Sequence, residues 1–333
     1  MNIKDIAKEA KVSVSTVSRV LNNKPDVNPA TRTKVLKIIE KYNFRPNIQA
    51  RGIVNQKNNC IGIVVPHSVN YTLNNPYYVE ILRSILNAAE MDQYYTFLIC
   101  DEKMDEALDV AMQKRVDGLI IVSPRLENLA ILNTLEKHRI PFVIIGRMRE
   151  LENHYQICVD NYLGACKAVS FLIKSGRKKV AMINGPLTLN SSIERRKGYF
   201  DCLAKYNLLL PKEWHVEGGN SIQSGYECAN KLLDRYPEID AFFVSSDIMS
   251  LGVIDALKER DIDIPDVISV VGFDNIPLAA QVTPQLTTVN QHIEKKGNLA
   301  YRILHSLLED GEIKHPLFIN IETELIVRET AVE

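Results

Sequence analysis

From Cys60 onwards, short apolar runs alternate with longer segments that have the apolar spacing of amphipathic helices. The runs are apolar throughout, which predicts strands buried on both faces and hence the parallel sheets of an α/β fold. The predicted strands are residues 60–66, 95–101, 116–123, 141–147, 156–160, 179–185, 240–247 and 267–274. The predicted helices are residues 77–92, 104–114, 127–138, 162–175, 191–206, 223–236 and 248–260.

Eight or more strand–helix units are compatible with one closed barrel or with two doubly wound halves. The last part of the chain adds a strand pattern at 286–291, a long helix pattern at 292–309 and a strand pattern at 318–327. These segments are typical of late strands that join sheets formed by earlier parts of the chain. They favour two doubly wound parallel-sheet lobes over a barrel.

The N-terminal stretch has a different pattern, in which apolar residues recur at helical spacing in two short runs. These residues are Ile3, Ile6, Ala7 and Ala10, and then Val14, Val17, Val20 and Leu21. Ser13 stands where the cap of the second helix belongs. Two short helices joined by a tight turn predict a helix-turn-helix, although any helical hairpin with a solvated Ser/Thr face would share this spacing. A third helix follows, capped by Asn28, with Val35, Leu36, Ile38 and Ile39 as its predicted buried face.

The charge of the chain is unevenly distributed. Residues 1–57 hold twelve Lys and Arg against four Asp and Glu, a net charge of +8, whereas the whole chain has a net charge of −1. The remaining residues therefore carry −9. A basic segment with its own apolar periodicity, ahead of an acidic body, indicates a folded nucleic-acid-binding module at one end.

Several classes of protein are disfavoured by the sequence. No run of 18 or more apolar residues predicts a membrane span, and no signal-peptide pattern is present, so a cytoplasmic protein without a membrane partner is expected. The six cysteines form no C-x-x-C pair and the seven histidines have no metal-ligand spacing, so neither a metal nor a cofactor is expected. The common nucleotide-binding, hydrolase and metalloprotease motifs are absent, and no catalytic residue is assigned.

Ligands of open α/β sheets bind beyond the carboxyl ends of the strands. This rule selects residues 67–78, Arg147, residues 160–161, residues 184–195, Asn220, residues 246–247 and residues 273–275. Aromatic rings beside Asn, Asp and Arg suit a sugar, because flat faces stack on ring C–H groups and forked polar groups bind paired hydroxyls. The alternative is structural, with Asp160 and Asp247 as helix caps and Arg195 as a surface charge.

Over nearly its whole length, the chain resembles the LacI/GalR family of bacterial transcription regulators. In the N-terminal part the resemblance rests on Ile3-Lys-Asp-Ile-Ala-Lys-Glu-Ala10 and Val12-Ser-x-x-Thr-Val-Ser-Arg-Val-Leu-Asn22. It continues in Arg45-Pro-Asn47, Ala50-Arg51, Val116-Asp-Gly-Leu-Ile120, Asp160-Asn-x-x-Gly-Ala165, Arg195-x-x-Gly198, Ser246-Asp-x-Met-x-Leu-Gly252 and Val270-Val-Gly-Phe-Asp274.

The resemblance implies three parts: a helix-turn-helix head at residues 1–45, a hinge helix and linker at 46–59, and a two-lobed body like a periplasmic sugar-binding protein. The first lobe would comprise residues 60–160 and 289–318, and the second 161–288 and 319–333. The lobes would close around a small carbohydrate. Members of this family act as homodimers on near-palindromic double-stranded operator DNA.

Carried over by position, the resemblance implies that Val14, Ser15 and Arg19 face base edges in the major groove. Phosphates would be held by Ser13, Thr16, Ser18, Asn22 and Thr31. Asn47, Ala50 and Ile53 would lie in the hinge helix, with Ile53 entering the minor groove as an apolar wedge.

Two parts of the head depart from the family pattern. Lys11 occupies the turn position usually held by Gly, where a left-handed backbone costs a residue with a Cβ roughly 1 kcal/mol. Gly52 precedes Ile53, which stands where Leu is usual, and a Gly in a helix interior costs about 1 kcal/mol relative to Ala. The sequence therefore predicts a hinge that is weakly helical without DNA.

In the body, the effector contacts of the family correspond to Tyr77 or Tyr78, Arg147, Arg195, Asn220, Ser246 and Asp274. The motif Asn74-Asn-Pro-Tyr-Tyr78 is similar to members that sense α-glucosides such as maltose. The segment Asn290-Gln-His-Ile-Glu-Lys-Lys296 departs from the catabolite-control members that bind a phosphocarrier protein, which makes a protein co-regulator doubtful.

The resemblance implies an allosteric repressor of carbohydrate-utilisation genes, with sugar and DNA linked through one conformational equilibrium. Release from DNA by the sugar is expected, although the sequence leaves the sign of the effect open. Two alternatives remain at this point. One is a sugar-binding protein or sugar-handling enzyme without a DNA role, and the other is an architectural DNA binder with a vestigial pocket.

Overall fold

Residues 2–21, 24–43, 58–311 and 317–333 are described in a computed structural model of the protein. The chain divides into two compact units, Met1–Asn58 and Asn59–Glu333, which are described separately.

The described part of the N-terminal unit is helical. Its helices are α1 (Ile3–Ala10), α2 (Val14–Leu21) and α3 (Pro29–Lys41). Ile6, Ala10, Val17 and Val35 are fully buried where these helices meet. Leu36, which was expected on the buried face of α3, is 47% exposed, so that prediction was wrong. In so small a unit only one stripe of α3 is covered, and Leu36 lies about 100° round the helix from Val35.

The turn between α1 and α2 has the geometry of a helix-turn-helix. Lys11 adopts φ 56° and ψ 44°, which confirms that a residue with a Cβ occupies a left-handed position there. The Oγ of Ser13 accepts a hydrogen bond from the Thr16 amide at 3.1 Å, so Ser13 caps α2 as the sequence predicted. The head therefore has the helices and the turn that its apolar spacing indicated.

The C-terminal unit contains twelve strands and nine helices within the residues described. The strands are β1 (Cys60–Val65), β2 (Tyr95–Cys100), β3 (Gly118–Val122), β4 (Phe142–Ile145), β5 (Gln156–Val159), β6 (Val180–Asn184), β7 (His215–Glu217), β8 (Ala241–Val244), β9 (Ser269–Asp274), β10 (Thr287–Asn290), β11 (Phe318–Ile321) and β12 (Glu324–Ile326). The helices are α4 (Val69–Asn74), α5 (Pro76–Met91), α6 (Asp105–Met112), α7 (Leu129–Lys137), α8 (Asn161–Lys174), α9 (Asn190–Lys205), α10 (Ile222–Arg235), α11 (Asp247–Glu259) and α12 (Ile293–Asp310).

These strands form two six-stranded sheets rather than a barrel, which confirms the prediction of two doubly wound lobes. The order is β11-β5-β4-β3-β1-β2 in the first sheet and β12-β10-β9-β8-β6-β7 in the second. Every pairing is parallel except that of β10 with β12, which is antiparallel. The short strand β7 and the helix α4 were not predicted from the sequence.

Burial follows position in the sheet. Strands β3, β4, β6 and β8 are buried at every residue, as expected for parallel strands covered on both faces. The edge strand β2 is the exception, since Tyr95, Phe97 and Leu98 are 64%, 41% and 41% exposed. The prediction that this run is buried on both faces was therefore wrong, because an apolar run does not reveal that its strand lies at an edge.

The chain crosses between the two sheets at three places. The first crossing lies between β5 and α8, the second between β10 and α12, and the third between β11 and β12. The lobe boundaries expected at 288/289 and 318/319 instead fall inside β10 and β11, so the crossings come later, after Asn290 and after Ile321. An apolar run identifies a strand, but it does not specify which sheet that strand joins.

Candidate effector cleft and DNA-binding face

A cavity of about 90 Å³ lies where the carboxyl ends of the two sheets face each other. The residues predicted as effector contacts all line it: Tyr77, Tyr78, Arg147, Arg195, Asn220, Ser246 and Asp274. Strand ends and the first turns of helices supply these side chains, which is why the strand-end rule selected them.

Arg195 is at the centre of the polar network in the cleft. It is 8% exposed, so the alternative of a surface charge was wrong. Its Nε donates to Asn161 Oδ1 at 2.9 Å, one of its Nη atoms donates to the Ser245 carbonyl oxygen, and its guanidinium lies 3.7 Å from the ring centre of Phe273. Burial lowers the pKa of Arg195, and this effect is opposed by Asp274, whose Oδ1 lies 3.7 Å from Arg195 Nη1.

Asp274 ends β9 with φ 138°, a backbone conformation that residues with a Cβ rarely adopt. Such a conformation costs of order 1–3 kcal/mol and persists only where neighbouring contacts hold it. Here the Gln291 side chain donates to Asp274 Oδ1, and the Gln291 amide donates to the Asp274 carbonyl at 3.3 Å. These contacts aim the carboxylate at the cavity.

A second buried carboxylate lies behind Asp274. Asp247, the first residue of α11, accepts hydrogen bonds from Thr288 Oγ1 and, at 2.9 Å, from the Ile276 amide. Burial and the charge of Asp274 raise the pKa of Asp247 to about 7. Burial raises the pKa of Asp274 to about 6, although Arg195 and Lys296 oppose that rise. Asp247 therefore has a structural role behind the cleft, but it is not the helix cap that the sequence suggested, because Ser246 holds the cap position and Asp247 bonds outside its own helix.

Ser246 presents a hydroxyl without a hydrogen-bond partner among the described residues. Its Oγ is buried, although Ser246 precedes α11 at the position where a side chain normally caps the helix. A buried polar atom that lacks a partner costs roughly 1–3 kcal/mol. Its position in the cavity wall makes it available to a ligand. Asp160, by contrast, caps α8 by accepting from the Leu163 amide at 2.7 Å and does not line the cavity.

Contacts across the cleft hold the two lobes close together. Tyr71 of α4 and Asn220, which lies before α10, both line the cavity, one from each lobe. Asn190 Nδ2 donates to the Arg147 carbonyl at 2.7 Å, and Arg149 forms an ion pair with Glu194 at 3.2 Å. Small-molecule sites usually have volumes of ~300–1,000 Å³. Because this cavity is smaller, a ligand of ordinary size would require the lobes to separate further.

Sequence reasoning missed several residues of the cleft. Tyr71 and Asn75 lie within the selected range 67–78, but neither was named as an effector contact, and the helix α4 that positions them was not predicted. Gln291 and Lys296 also line the cavity, at the second crossing and in the first turn of α12. Lys296 could have been noticed, because it lies three residues after Ile293 and four before Ala300 on an otherwise apolar helix face.

The predicted DNA-binding residues of α2 lie on its outer face. Val17 and Val20 point into the core of the head, whereas Val14, Ser15 and Arg19 are exposed. Ser13 Oγ is 2.7 Å from Ser15 Oγ and 2.8 Å from Thr16 Oγ1, so three hydroxyls cluster at the start of the helix. Ser18 and Thr31 are half-buried. The remaining predicted residues, Asn22, Asn47, Ala50 and Ile53, lie outside the described residues.

No cluster of three or more His, Cys, Asp or Glu side chains suitable for a metal ion occurs in the described ranges. Their helices include none that is both long and apolar enough to span a membrane.

A helix-turn-helix head followed by two lobes with a polar cleft defines a DNA-binding regulator with a ligand-responsive body. Residues 2–47 match the description "Bacterial regulatory proteins, lacI family", and residues 169–331 match "Periplasmic binding protein-like domain". Catabolite control protein A of Priestia megaterium is 35% identical over 310 residues, which are 91% of each chain. The HTH-type transcriptional repressor PurR of Histophilus somni is 33% identical over 98% of each chain.

Two solved structures extend this similarity. The lac repressor dimer bound to operator and the anti-inducer ONPF superposes with a TM-score of 0.87 at 25% identity, over 100% of this chain and 99% of that one. The transcriptional regulator CelR–cellobiose complex superposes with a TM-score of 0.77 at 28% identity, over 99% and 100%. The chain belongs to the LacI family and is a DNA-binding transcriptional repressor. Because its relatives are regulators and not enzymes, the enzyme alternative is set aside.

Proposed function

We propose that the protein is a dimeric repressor of carbohydrate-utilisation genes whose affinity for a near-palindromic operator falls when a small carbohydrate occupies the cleft. It would act on chromosomal DNA in the bacterial cytoplasm. In this proposal Tyr77, Tyr78, Arg147, Arg195, Asn220, Ser246 and Asp274 contact the carbohydrate.

The observation that carries the effector part is the arrangement of polar groups around the cavity. The buried Ser246 Oγ has no partner among the described residues, and the ion-paired Arg195 and Asp274 line the same cavity as Tyr77 and Tyr78. Forked charged groups match paired sugar hydroxyls, and aromatic faces stack on sugar rings. The similarity to a regulator solved in complex with cellobiose supports a carbohydrate.

The DNA-binding part rests on the exposed face of α2. Val14 is apolar and exposed, which suits contact with a thymine methyl group, and Arg19 suits the O6/N7 edge of guanine. The hydroxyls of Ser13, Thr16 and Ser18 would donate to phosphates, as would Thr31 in the first turn of α3. Asn22 and the hinge residues Asn47, Ala50 and Ile53 complete the proposed interface.

The cross-cleft contacts supply the link between the two parts. A carbohydrate that inserts between the lobes changes contacts such as those of Asn190 with Arg147 and of Arg149 with Glu194. DNA and sugar then favour different separations of the lobes. By linkage, each weakens the binding of the other by the same free energy, typically about 1–3 kcal/mol.

Fluorescence anisotropy of the full chain on the DNA upstream of its own gene tests this proposal. At fixed salt concentration, we expect specific binding that at least one carbohydrate weakens about fivefold or more. The Asp274→Asn variant keeps the size of the side chain, and we expect it to bind the operator but to lose the response. Binding no tighter than to random DNA at any near-palindrome of that region would contradict the DNA-binding part, and an operator complex that no carbohydrate shifts would contradict the effector part.

A further inference from the structure

Lys296 is a buried cation in the wall of the effector cleft. It lies in the first turn of α12, it is 2% exposed, and it lines the cavity. Its Nζ donates to Tyr77 Oη at 3.0 Å and to Gln291 Oε1 at 2.8 Å, and it lies 4.8 Å from the centre of the Tyr77 ring. Both partners are neutral groups that also line the cavity.

The charge of Lys296 is not neutralised by direct contact. No carboxylate of the described residues lies within 4.0 Å of its Nζ, and its nearest link to an anion runs through Gln291 to Asp274. An ammonium group has three N–H donors, and two of these have acceptors here. Burial of a cation is costly unless it is paired, so a third acceptor that carries negative charge would complete this site.

The other charged groups of the cavity wall leave the charge of Lys296 without an anionic partner. The lining contains the cations Arg147, Arg195 and Lys296 and a single carboxylate, Asp274, among the residues described. Glu194 lies 3.9 Å from Arg147, but it faces away from this cavity. Asp247 lies behind the wall, and its raised pKa leaves it partly protonated near neutral pH. Since Arg147 is offset by Glu194 and Arg195 by Asp274, a neutral sugar would leave the charge of Lys296 uncompensated.

We propose that the effector is an anionic carbohydrate, a sugar carboxylate or a sugar phosphate, whose charged group accepts a hydrogen bond from Lys296 Nζ. This inference rests on the proposed function, because it assumes that a carbohydrate binds in the cleft. It narrows the effector class from neutral α-glucosides, which the Asn74–Tyr78 motif suggested, to carbohydrates with a negative charge. A phosphorylated α-glucoside would satisfy both features.

The competing interpretation is structural: Lys296 would only offset the buried carboxylates of Asp274 and Asp247 through Gln291. The two interpretations predict different ligand preferences. If Lys296 serves the carboxylates alone, a neutral sugar should bind at least as well as its charged derivative. If it serves the ligand, the charged derivative should bind better, and that preference should depend on Lys296.

Titration calorimetry of the full chain distinguishes these cases. The probes are glucose, galactose, mannose and maltose, each paired with its available phosphate, and the hexoses also with their uronates and aldonates. We expect one anionic member to bind about tenfold or more tightly than its neutral parent, and phosphates and carboxylates are compared separately to identify the source of the charge. Raising the salt concentration should weaken the anionic member and leave its parent unchanged.

Variants then assign the preference to one side chain. Lys296→Met should reduce the preference to less than about threefold, whereas Lys296→Arg should retain part of it. Lys295→Met is the matched control, because Lys295 is the exposed neighbour on the same turn and does not line the cavity. We expect it to keep the full preference. Equal loss in the Lys295 and Lys296 variants would contradict the role of Lys296.

Failure of this inference can be told from failure of the proposed function. If a neutral parent shifts operator binding and no charged derivative binds more tightly, the anionic effector is wrong and the sugar-responsive repressor stands. If operator binding is specific but neutral and anionic members all fail to bind, both the inference and the effector part of the proposed function are wrong. Because the comparison within wild type needs no variant, misfolding of Lys296→Met would not remove the test.

Discussion

At the scale of single residues, Arg19 of the head forms an ion pair within the protein and is still exposed enough to contact DNA. Its guanidinium forms an ion pair with Asp26 at 3.2 Å, and the two side chains are 61% and 55% exposed. Exposed ion pairs contribute only about 0–1 kcal/mol. Breaking this ion pair when DNA binds Arg19 therefore costs little free energy. Before DNA binds, the pair holds the Arg19 side chain near the outer face of α2.

Replacing Arg19 tests whether it reads bases. Arg19→Ala should weaken operator binding by about 1–3 kcal/mol and change binding to random DNA little, because a bidentate contact to guanine is lost. Arg19→Lys keeps the charge but lacks the planar fork, so it should lose most of the specific binding and retain the non-specific part. Anisotropy on operator and random duplexes measures both. Equal losses on the two duplexes would show that Arg19 contacts phosphates only.

The carboxylates of Asp247 and Asp274 make stability depend on pH. Their pKa values are raised from the usual value near 4 to about 7 and about 6, chiefly by burial. The folded protein therefore binds more protons than the unfolded chain between about pH 4 and pH 7. Stability from this pair is fully present below pH 4 and is lost as the pH rises through about 7.

Urea denaturation of wild type and Asp247→Asn at pH 5 and pH 7.5 measures this effect. The free energy of unfolding of wild type, relative to the variant, should fall by roughly 2 kcal/mol between the two pH values. The buried His67 and the half-buried His215, whose pKa values are lowered, are common to both proteins, so their opposite pH dependence cancels in the difference. A difference that does not change with pH would mean that the pair is fully ionised throughout this range.

Among the site residues, those that lie next to predicted strands and helix starts could be identified from the sequence. The seven predicted effector residues were accessible to reasoning because they follow strands or begin helices that the apolar pattern already located. Tyr71 lies in the selected range 67–78 but was not singled out, because its place in the cavity wall depends on the six-residue helix α4, which was not predicted. Contacts between distant parts of the chain have no local signal in one sequence.

At the scale of elements, helices α10 and α11 approach each other unusually closely. A Cβ at Gly252 would collide with the Ile222 carbonyl oxygen and lie 2.6 Å from the Tyr226 amide nitrogen. A Cβ at Gly225 would collide with the Met249 carbonyl oxygen. Two backbones cannot move aside as a flexible side chain can. This contact therefore fixes the position of α11, at whose start Ser246 lies in the cleft wall and Asp247 lies behind it.

Gly252→Ala should destabilise the body by overpacking this contact. We expect a loss of roughly 1–3 kcal/mol in the free energy of unfolding, measured by urea denaturation. Gly219→Ala is the matched control, because its nearest neighbour, the Oγ of Ser224, would lie 3.6 Å from the new Cβ. It should change stability by less than about 0.5 kcal/mol. A similar loss in both variants would point to backbone flexibility rather than to the close contact.

The elements also show where a single sequence stops being informative. The apolar runs located the eight predicted strands and the alternation of strands and helices, because burial on both faces imposes a strong pattern. The three-residue strand β7 has half-buried and exposed residues only, so no apolar run marks it. The crossings after β10 and β11 come later in the chain than predicted, because hydrogen bonds to strands far away in the chain decide which sheet a strand joins.

At the scale of the whole molecule, the exposed side of strand β2 favours the proposed dimer. Tyr95, Phe97 and Leu98 form an exposed apolar surface on an unpaired sheet edge, and Leu86 and Met91 of α5 are also exposed. An apolar edge strand that is open to solvent invites association and is normally covered. A second copy of the chain would cover it.

Phe97→Glu should therefore convert the dimer to a monomer and weaken operator binding, since both half-sites must be held at once. Sedimentation velocity gives the oligomeric state, and anisotropy gives the affinity, which should fall at least tenfold. Leu209→Glu is the control, because Leu209 is 97% exposed in another part of the body. A dimer that survives the Phe97 change would place the interface elsewhere.

The three crossings between the sheets also affect how a newly made chain folds. The first sheet lacks its edge strand β11 until Ile321 has left the ribosome, whereas the helices of the head end at Lys41. At a translation rate of ~5–20 residues per second, the helices of the head are complete roughly 15–55 s before the first sheet can be completed. A growing chain thus has a complete DNA-binding head while the body that we propose to bind the carbohydrate is still incomplete. If one head binds weakly and two bind tightly, the wait for a finished partner keeps unfinished chains off the operator.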